Sequence, residues 1–377
     1  MQLIFWLSIF LIFYPYFIYP LALMILGMFF KKEIKRAEIT PSVSLLISAY
    51  NEEKIIQEKI ENSLNLDYPK DKLEIVIASE SNDKTNDIVE KYKDRRVKLF
   101  AYHDRKGKSY TIYRVLPKCQ GEIIVFTDAN AMFKRNAIRK LVRSFNDSHI
   151  GCVSGELKYT NPQKAVVGDV EGIYWKYEIL LKRLESKIQS VLGANGSIYA
   201  IRKKLYSPLS KYWGDDFGLP IRILQQGYGV VWEPEAVSEE EVYPETIKQF
   251  KRKVVIVGWH FKGVFILLKD SIKKFQLRLI FQLISHKILR WFIPFFLVLI
   301  LLSNIFLLNN IFYLIIFISQ ILFYLLALIG YIQEKRKKKI NRIINLTYYF
   351  CMVNLAALIG VIKGLFGFQK TTWEKVR

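Results

Sequence analysis

The chain has 377 residues, 51% of them hydrophobic, and a formal net charge of +22. That length holds one large domain or two smaller ones with extra segments, and the pairing of apolar bulk with a basic excess points away from an ordinary soluble protein towards one that meets anionic lipid. Cys119, Cys152 and Cys351 are odd in number and far apart, which excludes a disulfide framework, and the four histidines at 103, 149, 260 and 286 do not cluster as a zinc site would.

The first element is an apolar run from Leu3 to Phe30, followed at once by Lys31, Lys32, Lys35 and Arg36. A helix needs about 20 residues to cross a hydrocarbon core. A cleaved leader carries its charges before the apolar run. Residues 1–30 are therefore expected to form an uncleaved transmembrane anchor, its C-terminal end in the cytoplasm. Residues 41–245 alternate short apolar runs with helical stretches. Strands are expected at 43–49 (VSLLISA), 73–79 (LEIVIAS), 97–102 (VKLFAY) and 122–128 (EIIVFTD). Helices are expected from Asn51-Glu52-Glu53 to Leu64, near 84–93 and near 107–116. This alternation implies a parallel sheet with helices on both faces and ligands at the carboxyl ends of the strands.

The spacing of Ile173, Tyr177, Leu180, Leu184 and Ile188 predicts an amphipathic helix over 172–191. A further helix is expected from Leu219 to Gln226, then a Gly-rich turn and a strand. Residues 246–290 mix valines, aromatics and many lysines and arginines, as amphipathic helices at a membrane interface do. Ordinary core helices are the other reading for both amphipathic stretches. Apolar runs at 291–308, 311–333 and 343–366 predict three C-terminal transmembrane helices, and residues 367–377 a tail. The basic loop Glu334 to Arg342 is expected on the cytoplasmic side.

Polar residues gather at the expected strand ends: Tyr50-Asn51-Glu52, Glu80 to Asp83, and Asp128-Ala129-Asn130. At a turn, residues i and i+2 can aim oxygens at one point. A carboxylate and an amide are hard ligands, suited to Mg²⁺ or Mn²⁺ that also holds phosphate oxygens. Asp and Asn are also common wherever strands turn into loops. In YWGDDFGLPIRILQQGYG, Asp215 could cap the following helix, or one of Asp215 and Asp216 could be a general base. The basic stretch QFKRKVVIVGW (249–259) either faces solvent and lipid or neutralises a diphosphate leaving group.

Eight stretches in this order resemble the membrane-integrated inverting glycosyltransferases of family 2, relatives of hyaluronan, cellulose and poly-N-acetylglucosamine synthases. They are VSLLISAYNEE, ASESNDKTNDI, HDRKGKSYTIYRVL, FTDAN, GANGSIYAIRK, GDDF, QFKRK and TTWEKVR. The resemblance implies an α/β GT-A (nucleotide-diphospho-sugar transferase) domain of Rossmann-like type, with interfacial helices and about four transmembrane helices. It places Asn51 and Glu52 at the nucleotide, Asp83 with Glu80 at base and ribose, and Lys108 near the nucleotide. It gives the metal to Asp128 with Asn130, and the role of base to Asp216 beside Asp215. It sets Gln249 and Arg252 at the acceptor and the leaving diphosphate. Three positions depart from the family pattern. Ser79-Glu80-Ser81 stands where Asp-Gly-Ser is commoner, Asn130 replaces an Asp, and Lys253 replaces the Trp of Gln-x-x-Arg-Trp. Losing that stacking platform implies one or a few transfers rather than processive synthesis.

The implied reaction is inverting transfer of a sugar from a nucleotide-sugar donor, a UDP-sugar first, to a lipid-linked or polysaccharide acceptor. Mg²⁺ or Mn²⁺ would assist at the membrane lipid surface. Trp213, Trp175 and Trp259 are candidates to stack on sugar rings, with anchoring or core packing the better reading for the last two. The chain would be an integral protein of the cell membrane with a cytoplasmic catalytic domain. A processive, exporting polysaccharide synthase is the alternative within the class. A transporter or flippase component is the alternative outside it, although intramembrane charges for ion coupling are lacking. Nucleic acid is not an expected partner, since the basic residues collect beside the apolar runs and no recognition motif appears. Four crossings from an outside N-terminus would put Trp373 outside, whereas the resemblance wants it near the active site.

Overall fold

The computed structural model describes residues 1–160, 168–208, 214–241, 246–336, 338 and 340–367. Trp213 and the tail with Trp373 lie outside the described residues. Four apolar runs form parallel strands: β1 (Val43–Ala49), β2 (Leu73–Ser79), β3 (Val97–Ala101) and β4 (Ile123–Asp128). Four more strands complete one sheet: β5 (Met132–Phe133), β6 (Ile150–Tyr159), β7 (Tyr199–Arg202) and β8 (Gly229–Glu240), in the order β3-β2-β1-β4-β7-β6-β8-β5.

The wholly parallel sheet expected from the strand–helix alternation is realised only in the first half. β7 runs antiparallel to both β4 and β6, and β5 antiparallel to β8, while β6 and β8 are parallel. Antiparallel neighbours need no helix crossing the sheet face. The long connection between β6 and β7 instead carries a helix that packs on the apolar N-terminal segment and on β8.

Thirteen α-helices are described. After α1 (Gln2–Phe13) and α2 (Tyr19–Phe29) come α3 (Ile56–Leu64), α4 (Thr85–Glu90), α5 (Lys108–Val115) and α6 (Ala137–Val142). Then follow α7 (Gly168–Lys187), α8 (Asp215–Gln225), α9 (Thr246–Lys273), α10 (Leu277–Gln282), α11 (Leu289–Ile305), α12 (Ile311–Lys335) and α13 (Arg342–Phe366). Alternate residues of the central strands feed opposite cores. Leu45, Ile47 and Val125 pack with Ile56 and Ile60 of α3 and Leu141 of α6. Leu46, Ile124 and Phe126 pack with Ile112 of α5 and Leu219 and Ile223 of α8.

Among the described residues, four helical stretches are long and apolar enough to cross a membrane: Gln2–Phe29, Leu277–Ile305, Ile311–Lys335 and Arg342–Phe366. The first contains a π-helical turn, Tyr14–Ile18, at Pro15, where the missing proline N–H breaks the regular ladder. The second begins at Leu277, ahead of the expected 291, because α10 and α11 join through another π-helical turn, Leu283–Ile288. Residues 246–273 form the single helix α9.

A polar seam joins the sheet domain to the apolar helices. Tyr19 of α2 donates its hydroxyl to Glu185 Oε1 of α7 at 2.6 Å, and His286 Nδ1 lies 2.7 Å from the same oxygen. The other oxygen of this buried carboxylate accepts the Leu192 N–H at 3.0 Å. Arg290 meets Glu178 at 2.6 Å. Tyr177 donates to the Pro15 carbonyl at 2.7 Å.

Candidate active site

The parallel register brings three strand ends level. Ala49 pairs with Ser79 and Ser48 with Asp128, so the segments after β1, β2 and β4 emerge side by side. Asn51 turns the chain with φ of 55°, a left-handed conformation that Asn tolerates better than most residues. Its N–H donates to Ser81 Oγ at 2.9 Å, and its own Oδ1 accepts the Asn82 N–H at 3.0 Å. The Glu52 N–H donates to Thr85 Oγ1 at 2.8 Å, and Asp83 Oδ1 accepts the Thr85 N–H at 3.0 Å. Asn51, Glu52 and Asp83 thus belong to two interlocked loops at one edge of the sheet.

Glu80 is placed differently. Its nearly buried carboxylate accepts the backbone N–H of Lys106 at 3.1 Å and of Gly107 at 2.9 Å, and the Thr111 hydroxyl at 2.5 Å. Arg114 approaches at 3.4 Å. Gly107 caps α5 with φ of 96° and no side chain of its own to offer, so Glu80 supplies the acceptor that the helix start lacks. This holds Lys108 at the head of α5.

Lys108 is the meeting point. Its ammonium lies 2.8 Å from Asp128 Oδ1 and 3.4 Å from Asp215 Oδ1. Burial works to lower its pKa, but the charges of Asp128, Asp215 and Asp216 outweigh it and hold the group well above its usual value. Asp215 is 3% exposed and also accepts the Tyr199 hydroxyl at 2.7 Å. Tyr199 is fixed in turn by face-to-face stacking on Phe126 at 4.5 Å. Asp216 is half-buried. A side chain on Gly196 or Gly214 would come within 3.0 Å or 2.8 Å of its carboxylate oxygens, so both glycines make its room. Burial raises the pKa of both acids. For Asp216, Lys108 opposes the rise, Asp128 adds to it, and Arg252 opposes it. For Asp215, Lys108 opposes it, and Asp216 adds to it.

The start of α8 explains how Asp216 is held. Pro220 lies one helical turn beyond it and has no N–H to give to the Asp216 carbonyl. The Ala194 N–H donates there instead, at 2.7 Å. Both acids lie inside the first helical turn with Gly214 at the cap, and no side chain caps the helix. The capping role considered for Asp215 is therefore not observed, because Lys108 and Tyr199 engage its carboxylate.

Asp128 and Asn130 flank Ala129 in the turn between β4 and β5, and the Asp128 side chain is 38% exposed. Among the described residues, no three His, Cys, Asp or Glu side chains converge as a ligand set. One carboxylate and one amide supply two hard oxygens, fewer than the six of a complete octahedral shell. They fit a divalent cation that draws its remaining ligands from a diphosphate and water. Gln249 and Arg252 lie near the start of α9, which α8 anchors through Arg222 and Asp270 at 2.7 Å. Lys253 points its ammonium over the Tyr349 ring of α13, 5.7 Å from the centre. Trp175 lies 5.9 Å from the Tyr159 ring, with the Lys182 ammonium 5.8 Å from its own ring centre.

Four features of the site were not read from the sequence: Tyr199, His260, the glycine pair and Lys59. His260 stacks on Phe217 at 4.4 Å, and its Nε2 would lie 2.8 Å from a side chain on Gly214. A histidine among apolar residues carries no distinguishing pattern. Lys59 did have a signal, its helical spacing with Ile56, Ile60 and Ser63.

A curled, mixed sheet with acids along the carboxyl edge of its parallel half, extended by apolar helices, defines a GT-A glycosyltransferase. The sequence model described as glycosyltransferase like family 2 matches residues 41–255, and the chain belongs to that family. It is 30% identical over 291 residues to a probable glycosyltransferase, YdaM, of Bacillus subtilis, covering 72% of this chain and 67% of that protein. It is 30% identical over 178 residues to a beta-monoglucosyldiacylglycerol synthase of Nostoc sp., covering 46% of this chain and 36% of the synthase. A poly-beta-1,6-N-acetyl-D-glucosamine synthase of Staphylococcus aureus is 23% identical over 235 residues, covering 60% and 56%. The chain thus spans well under two thirds of the length of these two synthases. In fold it resembles the mannosyltransferase PcManGT from Pyrobaculum calidifontis, solved in complex with GDP-Man and Mn²⁺. The TM-score is 0.68 at 20% identity, over 97% of this chain and 99% of that one. The motif-based resemblance is borne out for family and for fold.

Proposed function

We propose that this chain transfers a sugar, with inversion, from a nucleotide-sugar donor to a lipid-linked or polysaccharide acceptor at a membrane surface. The observation that carries this reading is the convergence of Lys108, Asp128, Asp215 and Asp216 at the carboxyl edge of the parallel strands. Asn51, Glu52 and Asp83 hold the nucleotide end of the donor at the neighbouring loops. Lys108 and Arg252 bring positive charge to the leaving diphosphate. When bound at Asp128 and Asn130, Mg²⁺ or Mn²⁺ supplies Lewis-acid stabilisation of that diphosphate.

Asp216 is the general base. It is half-buried and reachable, while Asp215 is enclosed and tied to Lys108 and Tyr199. The raised basicity of Asp216 suits proton removal near neutral pH. It takes the proton of the acceptor hydroxyl as that oxygen bonds to the anomeric carbon. The bond from carbon to diphosphate oxygen breaks on the opposite face, and the nucleoside diphosphate leaves. Positioning and electrostatics carry the rate, with no covalent intermediate.

Residues 41–245 serve as the catalytic domain on the cytoplasmic face, 246–290 as the interfacial segment, and the apolar helices as the membrane part. A lipid acceptor is supported by the similarity to a beta-monoglucosyldiacylglycerol synthase. The donor is a UDP-sugar in the first instance. GDP-mannose is the second to test, since the structural neighbour was solved with it. The test uses full-length protein in detergent with Mn²⁺, a panel of nucleotide sugars and extracted lipid. Release of nucleoside diphosphate from one donor, and a product of inverted anomeric configuration, are expected. Absence of release from every donor would overturn the reading.

A further inference from the structure

Lys59 is a charged residue where the fold calls for an apolar one. It sits on the inward face of α3 with Ile56, Ile60 and Ser63, and its exposure is 0%. Burying an ammonium is costly unless it is paired and hydrogen-bonded, and a leucine would fill the same core without that cost. The partners of Lys59 follow a pattern. Its Nζ donates to Thr127 Oγ1 at 3.1 Å and to the Ala131 carbonyl, and lies 4.3 Å from the centre of the Phe133 ring. Thr127 immediately precedes Asp128, and Ala131 immediately follows Asn130. The Thr127 hydroxyl passes the contact on, donating to the Asp128 carbonyl at 3.3 Å. Less than one helical turn further along α3, Asn62 pairs with both backbone groups of Phe133 at 2.9 Å each. The helix therefore grips the 127–133 segment from beneath at three places, and the Asp128-Ala129-Asn130 turn lies between the two that Lys59 holds.

We propose that Lys59 is a positioning residue for the metal and diphosphate site, clasping both shoulders of the Asp128–Asn130 turn so that its two oxygen donors face one cation. The inference rests on the reading of that turn as the diphosphate site. The turn itself is closed by the Ala131 N–H donating to the Asp128 carbonyl at 3.2 Å, and the pairing of β5 with β8 pins its far end, so the Lys59 contacts add the support from the α3 side. Two ligands suffice only if they are already aligned, because among the described residues no set of three His, Cys, Asp or Glu side chains forms there to correct their geometry.

The test uses full-length protein in detergent and measures binding of Mn²⁺ with UDP or GDP by calorimetry, alongside thermal melting. Lys59→Met keeps length and apolar bulk. It should weaken Mn²⁺–nucleoside diphosphate affinity about 10–100-fold, the usual effect of removing an outer support of a metal site. In an Asp128→Ala background the same substitution should change affinity by less than about twofold, because its action runs through that turn. Undiminished affinity in folded Lys59→Met would overturn the proposal. So would an equal loss in both backgrounds, which would mark a general effect on the core. If Lys59→Met does not fold, Thr127→Val removes one shoulder only and should weaken binding in the same direction, and unchanged affinity there overturns the proposal. Failure of the unsubstituted protein to bind either nucleotide would defeat the functional reading itself, and is seen before any variant is made.

Discussion

Adjacent carboxylates in unlike surroundings should answer the same substitution differently. Asp216→Asn keeps size and hydrogen bonding but accepts no proton, so turnover should fall about 10²–10⁴-fold while donor affinity stays near normal. Asp215→Asn leaves Lys108 with one carboxylate fewer and should weaken donor binding more than it slows bound substrate. Steady-state kinetics with separate donor-binding measurements distinguish the two, and exchanged phenotypes would make Asp215 the base. His260 gives a pH-dependent expectation. Burial lowers its pKa from 6.5 to about 3, with the charge of Lys287 adding and that of Asp215 opposing. Between those values the unfolded chain binds a proton that the folded one refuses. Its contribution to stability is whole above about 6.5 and is lost as pH falls towards 3. Melting of the solubilised protein at about pH 7.5 and about pH 5 should show a smaller acid loss for His260→Asn than for the native chain. Equal losses would place the acid sensitivity elsewhere.

Helices α9 and α13 meet at two glycines. A Cβ on Gly360 would lie 2.7 Å from Val257 Cβ and 2.9 Å from the Val254 carbonyl, and one on Gly364 would lie 3.0 Å from the Gly258 carbonyl. Small residues spaced by four let helix backbones approach closely. Gly360→Val should force them apart at a cost of about 1–3 kcal/mol, lower the melting temperature and displace Arg252. A melting temperature equal to that of the native chain would refute this packing. What was legible in the sequence also divides by element. Strands β1 and β2 coincide with the runs expected at 43–49 and 73–79, because strands buried on both faces read as unbroken apolar sequence. Strand β6 was not read. Its two glycines and one serine look like a loop, yet a Cβ on Gly155 would strike the Ala236 carbonyl at 2.6 Å, so close packing demands small residues. Helix α8 starts at Asp215 rather than Leu219, since Pro220 resembles a helix start until Ala194 is found filling its missing hydrogen bond. Asp128 was legible because it ends an apolar strand, and Asp215 and Asp216 because they form an adjacent acid pair after a glycine. Tyr199 was not, because its partner Asp215 is brought to it only by the fold.

On the scale of the whole molecule, family and architecture were legible from the order of motifs, whereas the mixed sheet and the polar seam depend on contacts between distant segments. Lys253, its ammonium over the Tyr349 ring, supplies no aromatic face of its own on which a sugar could stack. Product length at limiting enzyme should therefore stay short and rise with donor supply, and long polymer beside untouched acceptor would refute this. The seam through Glu185 carries one more consequence. Its carboxylate holds Tyr19 and His286 on one side and the Leu192 N–H on the other, two residues from the Ala194 that secures Asp216. Bilayer thickness is therefore expected to act on the site. Helices that tilt to match a thinner or thicker hydrocarbon layer pull on the carboxylate that sets the catalytic loop. Turnover in short-chain and long-chain phosphatidylcholine vesicles should differ, even with a water-soluble acceptor analogue, and Glu185→Ala should flatten that dependence. An enzyme merely tethered to its membrane would work at one rate in both.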